Sequence, residues 1–361
     1  MSTKKKNYFT VAKLDKLSKD NNADYIFLVG ARNNGKSYSV KSRCLQDAYN
    51  SIKNGVCEKQ LGYIRRFTMD CKDSICEKYF ADMPIQELTN NEYTHISIYR
   101  KEIFFAVFEN DKIVRKIKIG DCFALGAAEH YKSLMYPKLF NLIYEEVVSE
   151  SGKYLYHESD KLLHLISTLF RDRTGKVYLI GNQLTPICPY YNDWNLNIDK
   201  LDFGQSNIIR IREGSEETVI VVHKTEPLDY NDKMFFGRIK KNIVGGEYIT
   251  DIYPIIDKSI RHFNILYTMV MQYDNFKYTL YFFYNPLHST HMWYIEPKTT
   301  AIKPGVRLIT NQNVIGKKVT RKLQPLAPAE QKIFAYLHDP TKVCFSDNLT
   351  GTVFNNLLDN F

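Results

Sequence analysis

DYIFLVGARNNGKSYSV, residues 24–40, reads as a strand, a glycine-bounded loop and the start of a helix. YIFLV (25–29) is the continuous apolar run of a strand buried on both faces. The amphipathic stretch 36–52 reads as a helix ended by Asn54-Gly55. Between them Gly30, Ala31, Arg32, Asn33, Asn34, Gly35, Lys36 and Ser37 fill every position of the pattern G-x-x-x-x-G-K-[ST], with Tyr38 following. Backbone N–H groups of such a loop surround a nucleotide's β-phosphate, and the helix directs its positive end at the same point. Lys36 is spaced to reach the β- and γ-phosphates and the Ser37 hydroxyl to hold Mg²⁺. The expected cofactors are therefore ATP and Mg²⁺.

A triphosphate site also needs a second strand that ends in acids. LFNLIY (139–144) runs into Glu145-Glu146. Glu145 is assigned to the Mg²⁺ shell and Glu146 to orienting or deprotonating the attacking water. Adjacent carboxylates on a strand point in opposite directions, so they can do different work. A third strand, 176–180, ends in Gly181-Asn182-Gln183. Asn182 is a candidate sensor of the γ-phosphate, although Asn at a strand end is also an ordinary turn residue. Arg32, inside the loop, is placed to touch the γ-phosphate of its own subunit. Arg171 and Arg173 follow the helix 160–170, whose expected apolar side carries Leu162, Leu163, Leu165, Ile166, Leu169 and Phe170. Arginines there can complement the helix C-terminal dipole or reach a neighbour's γ-phosphate.

Elsewhere, 96–108 and 112–119 alternate apolar with polar residues around Glu109-Asn110-Asp111, a hairpin signal. Residues 208–211 and 218–222 read as a peripheral hairpin. The class is α/β, with a mostly parallel sheet between helices over residues 1–225 and a helical linker over 226–246, broken at Gly245-Gly246. A strand-rich domain occupies 247–361, opening with a meander over 264–296. The 361 residues carry a net charge of +9, which suits a polyanionic partner without requiring one. No apolar run approaches the ~18 residues of a membrane span, so a cytosolic, non-membrane protein is expected. Seven cysteines at irregular spacings are read as reduced thiols. Cys71 and Cys76 lack a second ligand pair at zinc spacing.

Together these pieces resemble the DNA-packaging ATPases of tailed bacteriophages, the large-terminase-like motors. The branch most resembled is that of short-tailed phages with protein-capped, unit-length genomes. The matching runs are VGARNNGKSY, YIRRF, LIYEEVVSE, LFRDR and IGNQ, and in the second domain FGRIKK, GGEY, FFYN and RLITNQ. The resemblance implies an ASCE-type P-loop ATPase in a homo-oligomeric ring, expected to be a pentamer. That ring would sit at the portal vertex of the procapsid in the host cytoplasm and drive double-stranded DNA inward. It implies that Arg171 acts in trans, with Lys132, and Arg173 beside it, as further basic positions. Glu145 departs from the family's usual Asp, and residues 8–17 hold no clear glutamine to read adenine.

The second domain is expected to resemble ribonuclease H, a vestigial nuclease. Its first strand, ILYTMVMQ (265–272), holds no acid where a metal-binding Asp should stand, and Asp274 reads as a turn residue. Lys317, Lys318, Arg321 and Lys322, with Lys298, Lys303 and Arg307, form a basic set for a DNA backbone or a structural RNA, unless they are a solvated loop. Arg65, Arg66 and the basic strand 115–118 are weaker DNA-contact candidates. Alternatives are an active C-terminal nuclease, a P-loop small-molecule kinase, or a nucleotide-switched scaffold.

Overall fold

The computed structural model describes residues 8–110, 112–149, 154–183, 188–213, 216–228, 253–256, 263–273, 276–286, 289–298, 302, 306–310, 319–321 and 327–358. The chain divides into two compact units, Met1–Tyr248 and Ile249–Phe361.

In the first unit the elements are α1 (Ala12–Asp20), β1 (Tyr25–Gly30), α2 (Lys36–Asn50), β2 (Ile52–Lys53), β3 (Val56–Cys57), β4 (Gln60–Arg65), α3 (Asp73–Phe80), α4 (Ile85–Leu88), β5 (His95–Tyr99), β6 (Glu102–Glu109), β7 (Lys112–Ala124), β8 (Leu139–Glu145), α5 (Glu158–Phe170), β9 (Lys176–Asn182), α6 (Pro189–Asp193), β10 (Ser206–Glu213) and β11 (Glu216–Thr225). One sheet takes the order β10-β11-β1-β9-β8-β4-β7-β6-β5. Its centre, β11 to β7, is parallel throughout, with β10 and the β5–β6 pair as antiparallel edges. Parallel strands are covered on both faces, and β1 shows how. Ile26 and Leu28 join the core under α1, α2 and α3, while Phe27 and Val29 join the core under α5 and α6. α2 buries Val40, Cys44, Leu45 and Ala48, a stripe at helical spacing.

Several local expectations are corrected. α2 stops at Asn50, and Asn54-Gly55 instead forms the turn of the β2–β3 hairpin, both residues at positive φ. The strand expected over 96–108 is two, β5 and β6, folded back at Arg100 and Lys101 with φ of 52° and 64°. β7 runs on to Ala124, because it pairs with β6 as far as Asp121 and in parallel with β4 from Gly120 onward. The β10–β11 hairpin lies at the sheet edge as expected, with β11 joined in parallel to β1. Leu163 is exposed, whereas Leu162, Leu165, Ile166, Leu169 and Phe170 are buried.

The second unit holds β12 (Asn264–Tyr273), β13 (Phe276–Asn285), β14 (Thr290–Pro297), β15 (Arg307–Thr310), β16 (Val319–Arg321), α7 (Pro328–Phe334), β17 (Val343–Phe345) and α8 (Asn348–Leu358). Its sheet order is β16-β15-β12-β13-β14-β17. β12, β13 and β14 form the expected antiparallel meander, β15 and β16 extend it in parallel beside β12, and β17 lies parallel to β14. Trp293 anchors α7, its fully buried indole donating to the Ile333 carbonyl at 2.9 Å. Asp274, Gly245-Gly246, Lys303, Lys317, Lys318 and Lys322 lie outside the described residues, as does the linker beyond Leu228, and Arg321 is described only as backbone of β16. Among the described residues no helix is long and apolar enough to cross a membrane.

Candidate functional site

β1, β8 and β9 end side by side. Gly30 is level with Asn182 and Glu145 with Ile180. The 30–37 loop therefore leaves the sheet beside both acids and Asn182. Gly30 is required by close approach: a Cβ there would stand 2.1 Å from Thr225 Oγ1 and 2.7 Å from the Thr225 carbonyl oxygen. Gly30→Ala is expected to push β1 from β11 and lower the thermal unfolding midpoint. Thr225→Ala in the same chain should recover only part of that loss, since the carbonyl clash remains. Gly35 opens α2 at φ 94°, which L side chains rarely adopt.

Lys36 is buried, and its ammonium donates to the carbonyls of Gly30 (3.3 Å) and Ala31 (2.5 Å) and to the side-chain oxygens of Asn34 (3.2 Å) and Asn182 (3.4 Å). Burial draws its pKa down to about 7, with Arg32 adding to that fall and Glu145 opposing it. The Asn34 carboxamide donates to Thr225 Oγ1 at 2.6 Å and to the Glu226 carbonyl at 3.1 Å, tying the loop to the end of β11. Asn33 and Tyr38 are exposed, and the Phe9 N–H donates to the Asn34 carbonyl at 2.9 Å.

The two glutamates diverge, though not by strand alternation, because Glu145 ends β8 and Glu146 lies beyond it. Glu145 is buried and accepts a hydrogen bond from the Tyr79 hydroxyl at 2.8 Å, with the Ser37 hydroxyl a second donor nearby. Burial raises its pKa against the lowering effect of those two donors, Lys36 and Lys41. Glu146 sits past the strand end at φ 58°, with its side chain 60% exposed and held by Arg65 at 2.7 Å. Arg32, Arg65, Arg66, Asp70, Glu145, Glu146 and Asn182 are among the residues that line a cleft of about 340 Å³. A second cavity of about 330 Å³ shares Arg32, Glu145, Glu146 and Asn182 and adds Asn33 and Ser37. Both fall in the size range of ligand clefts, ~300–1,000 Å³.

Arg66 corrects its reading as a DNA contact. Its buried guanidinium pairs with Glu158 at 2.8 Å and donates to the carbonyls of Glu146 (3.0 Å) and Val147 (2.9 Å). Arg65 pairs with Glu146 at 2.7 Å and lines the cleft. Arg173 takes the first of the two roles open to the pair. It caps the end of α5, bonded to the carbonyls of Tyr136, Pro137, Leu139 and Leu169. Arg171 is exposed at the same helix end and donates to the Lys132 and Leu134 carbonyls, at 3.4 and 3.1 Å. Arg171 precedes β9 and Asn182 ends it, so a strand of seven residues, on the order of 20 Å, separates Arg171 from its own cleft. Lys132 is exposed and paired with Glu129.

Tyr79 and Glu158 were not identified from sequence. Tyr79 carries no local signal, while the YIRRF strand end, level with the acids, was the available pointer to the Arg66–Glu158 pair.

The sequence matches the family described as podovirus DNA encapsidation protein (Gp16) over residues 4–302. It is 26% identical over 249 residues to the DNA packaging protein of Bacillus phage B103, covering 68% of this chain and 70% of that one. To the DNA packaging protein of Bacillus phage phi29 it is 27% identical over 173 residues, or 47% of this chain and 46% of that one. The fold is similar to that of the bacteriophage Phi-29 viral genome packaging motor assembly (TM-score 0.56, 18% identity, 98% of each chain). It is also similar to the Phi-28 gp11 DNA packaging motor (TM-score 0.52, 18% identity, 97% of each chain). The family match runs from the first helix, through the cleft, into the sheet of the second unit, and the chain belongs to the podovirus DNA encapsidation protein family.

Proposed function

We propose that this DNA-packaging protein is an ATP-driven motor subunit, working in a ring at the portal vertex of the procapsid and translocating duplex DNA. The observation that carries this reading is that the ends of β1, β8 and β9 bring Glu145, Glu146 and Asn182 to two cavities that share them, Ser37 lining the second and the Lys36 ammonium standing 3.4 Å from Asn182. The order β11-β1-β9-β8-β4, with one strand between the loop strand and the acid strand, supports an ASCE-type P-loop domain.

The 30–37 loop would cradle the phosphates of ATP through its N–H groups, with Lys36 released from the loop carbonyls to meet the β- and γ-phosphates. Ser37 and Glu145 offer hard oxygen donors to one point, as Mg²⁺ prefers. The ion when bound draws charge from the β- and γ-phosphate oxygens. Glu146 orients or deprotonates water, Arg32 faces the γ-phosphate, and Asn182 reports its loss to β9. Arg171, remote from its own cleft, acts on the neighbour's phosphate, with Lys132 beside it.

In the second unit, the mixed order β14-β13-β12-β15-β16 supports a ribonuclease-H-like reading. Without an acid along β12, this unit would hold DNA or a structural RNA and leave it uncut. Phosphate contacts through the basic set at 317–322 would be sequence-independent and weaken steeply with salt.

The test is ATP turnover by the full chain with empty capsids, with and without duplex DNA. Stimulation by DNA is expected, and turnover indifferent to DNA would favour a kinase or scaffold instead. Mixing Arg171→Ala with Glu146→Gln subunits should recover activity above either variant alone. Mixed rings with no recovery would remove the in-trans role of Arg171.

A further inference from the structure

Glutamate has one more rotatable bond than aspartate, so a Glu facing a metal ion needs something to fix its carboxylate. The structure supplies a fixed donor. The Tyr79 hydroxyl, one residue from the end of α3, donates to Glu145 Oε1 at 2.8 Å, and among the described residues this is its sole side-chain hydrogen bond. The Tyr79 ring lies parallel to Tyr63 of β4 at 4.1 Å and 13° and meets Phe80 edge-on at 4.9 Å. The Lys41 ammonium stands 4.6 Å over the same ring. Buried Lys41 also donates to the Tyr79 carbonyl at 2.6 Å and to Asp82, pinning the backbone as well as the ring. A tyrosine held in this way cannot swing aside, so its hydroxyl determines where Glu145 Oε1 lies.

We propose that Tyr79 is a positioning residue for Glu145, locking the long side chain so that it meets a hydrated Mg²⁺ together with Ser37. This rests on the nucleotide reading of the cleft. Packing alone does not call for the hydroxyl: phenylalanine would stack on Tyr63 equally well, and the phenolic oxygen reaches Glu145 and no other side chain among the described residues. Partners that orient a metal-facing ligand typically matter by about 10–100-fold in metal affinity or activity. Tyr79 ties the carboxylate to α3, the helix that follows the 66–72 segment contributing Phe67 and Asp70 to the cleft.

The experiment compares the full-length wild type with Tyr79→Phe, titrating a fluorescent ATP analogue at increasing Mg²⁺ and recording thermal unfolding without nucleotide. The expected result is an Mg²⁺ midpoint for nucleotide binding raised about tenfold or more. Binding in excess chelator should be unchanged. Glu145→Asp should raise the midpoint by itself, and adding Tyr79→Phe to it should add nothing, because the shorter carboxylate no longer reaches the phenol. A Tyr79→Phe midpoint equal to wild type overturns the proposal, even if the variant unfolds earlier. Independent, multiplying effects in the double variant overturn it as well. A wild type whose nucleotide binding ignores Mg²⁺ would instead remove the nucleotide reading, and this proposal with it.

Discussion

Glu146→Gln is expected to cut ATP turnover by about 10²–10⁴-fold while leaving nucleotide affinity within a few fold, because a positioned acid–base group contributes on that scale. Glutamine keeps the size and much of the hydrogen bonding of the side chain but cannot take a proton. Glu146 makes no contact with the 30–37 loop among the described hydrogen bonds, so its loss should not disturb phosphate binding. Its only described charged partner within 3 Å is Arg65, at 2.7 Å. That ion pair adds a second expectation to the same measurement. To act on water, the carboxylate must be released from Arg65, which lines the same cleft, so Arg65→Ala should alter turnover without matching the Glu146→Gln loss. Single-turnover hydrolysis alongside equilibrium binding would check both. A Glu146→Gln protein that hydrolyses ATP at the wild-type rate would shift the base role to another group.

Much of the site was legible in the residues because its parts are local. A strand that must be apolar on both faces, a loop with glycine at both ends, and acids that stop an apolar strand each leave a pattern within a few positions. The rest depends on long-range pairing. Tyr79 meets Glu145 across 66 positions and Arg66 meets Glu158 across 92, and nothing near either residue announces its partner. The position of β11 against β1 was hidden for the same reason, since its apolar pattern suits an edge as well as a centre. The turn at Arg100-Lys101 failed differently. Two consecutive left-handed residues favour glycine or asparagine, and here neither is present. Arg66 was read by its charge, and only its neighbours show that the charge is spent inside the fold. The basic run at 317–322 stays as the sequence left it, outside the described side chains.

Glu158→Ala is expected to destabilise the first unit by about 3–5 kcal/mol, the usual cost of leaving one half of a buried ion pair alone. For a unit of this size that is a fall of about 6–20 °C in unfolding midpoint. The carboxylate is fully enclosed, and it accepts from Arg66 Nε (2.8 and 3.1 Å), the hydroxyls of Tyr144 (2.8 Å) and Tyr190 (3.0 Å), and the Leu155 N–H (2.8 Å). Removing it strands a guanidinium and two hydroxyls at once. Arg66 also clamps the carbonyls of Glu146 and Val147, and Glu146 needs such a clamp because a left-handed backbone costs a non-glycine residue about 1–2 kcal/mol. Stability and catalysis can therefore be separated. The double variant Arg66→Met/Glu158→Leu should recover much of the lost midpoint, since apolar groups of similar volume often replace a buried pair without penalty. Its turnover should stay at least about tenfold low, because no group then holds the peptide that aims Glu146. Full turnover in a refolded double variant would show that the Arg66 clamp serves the fold alone.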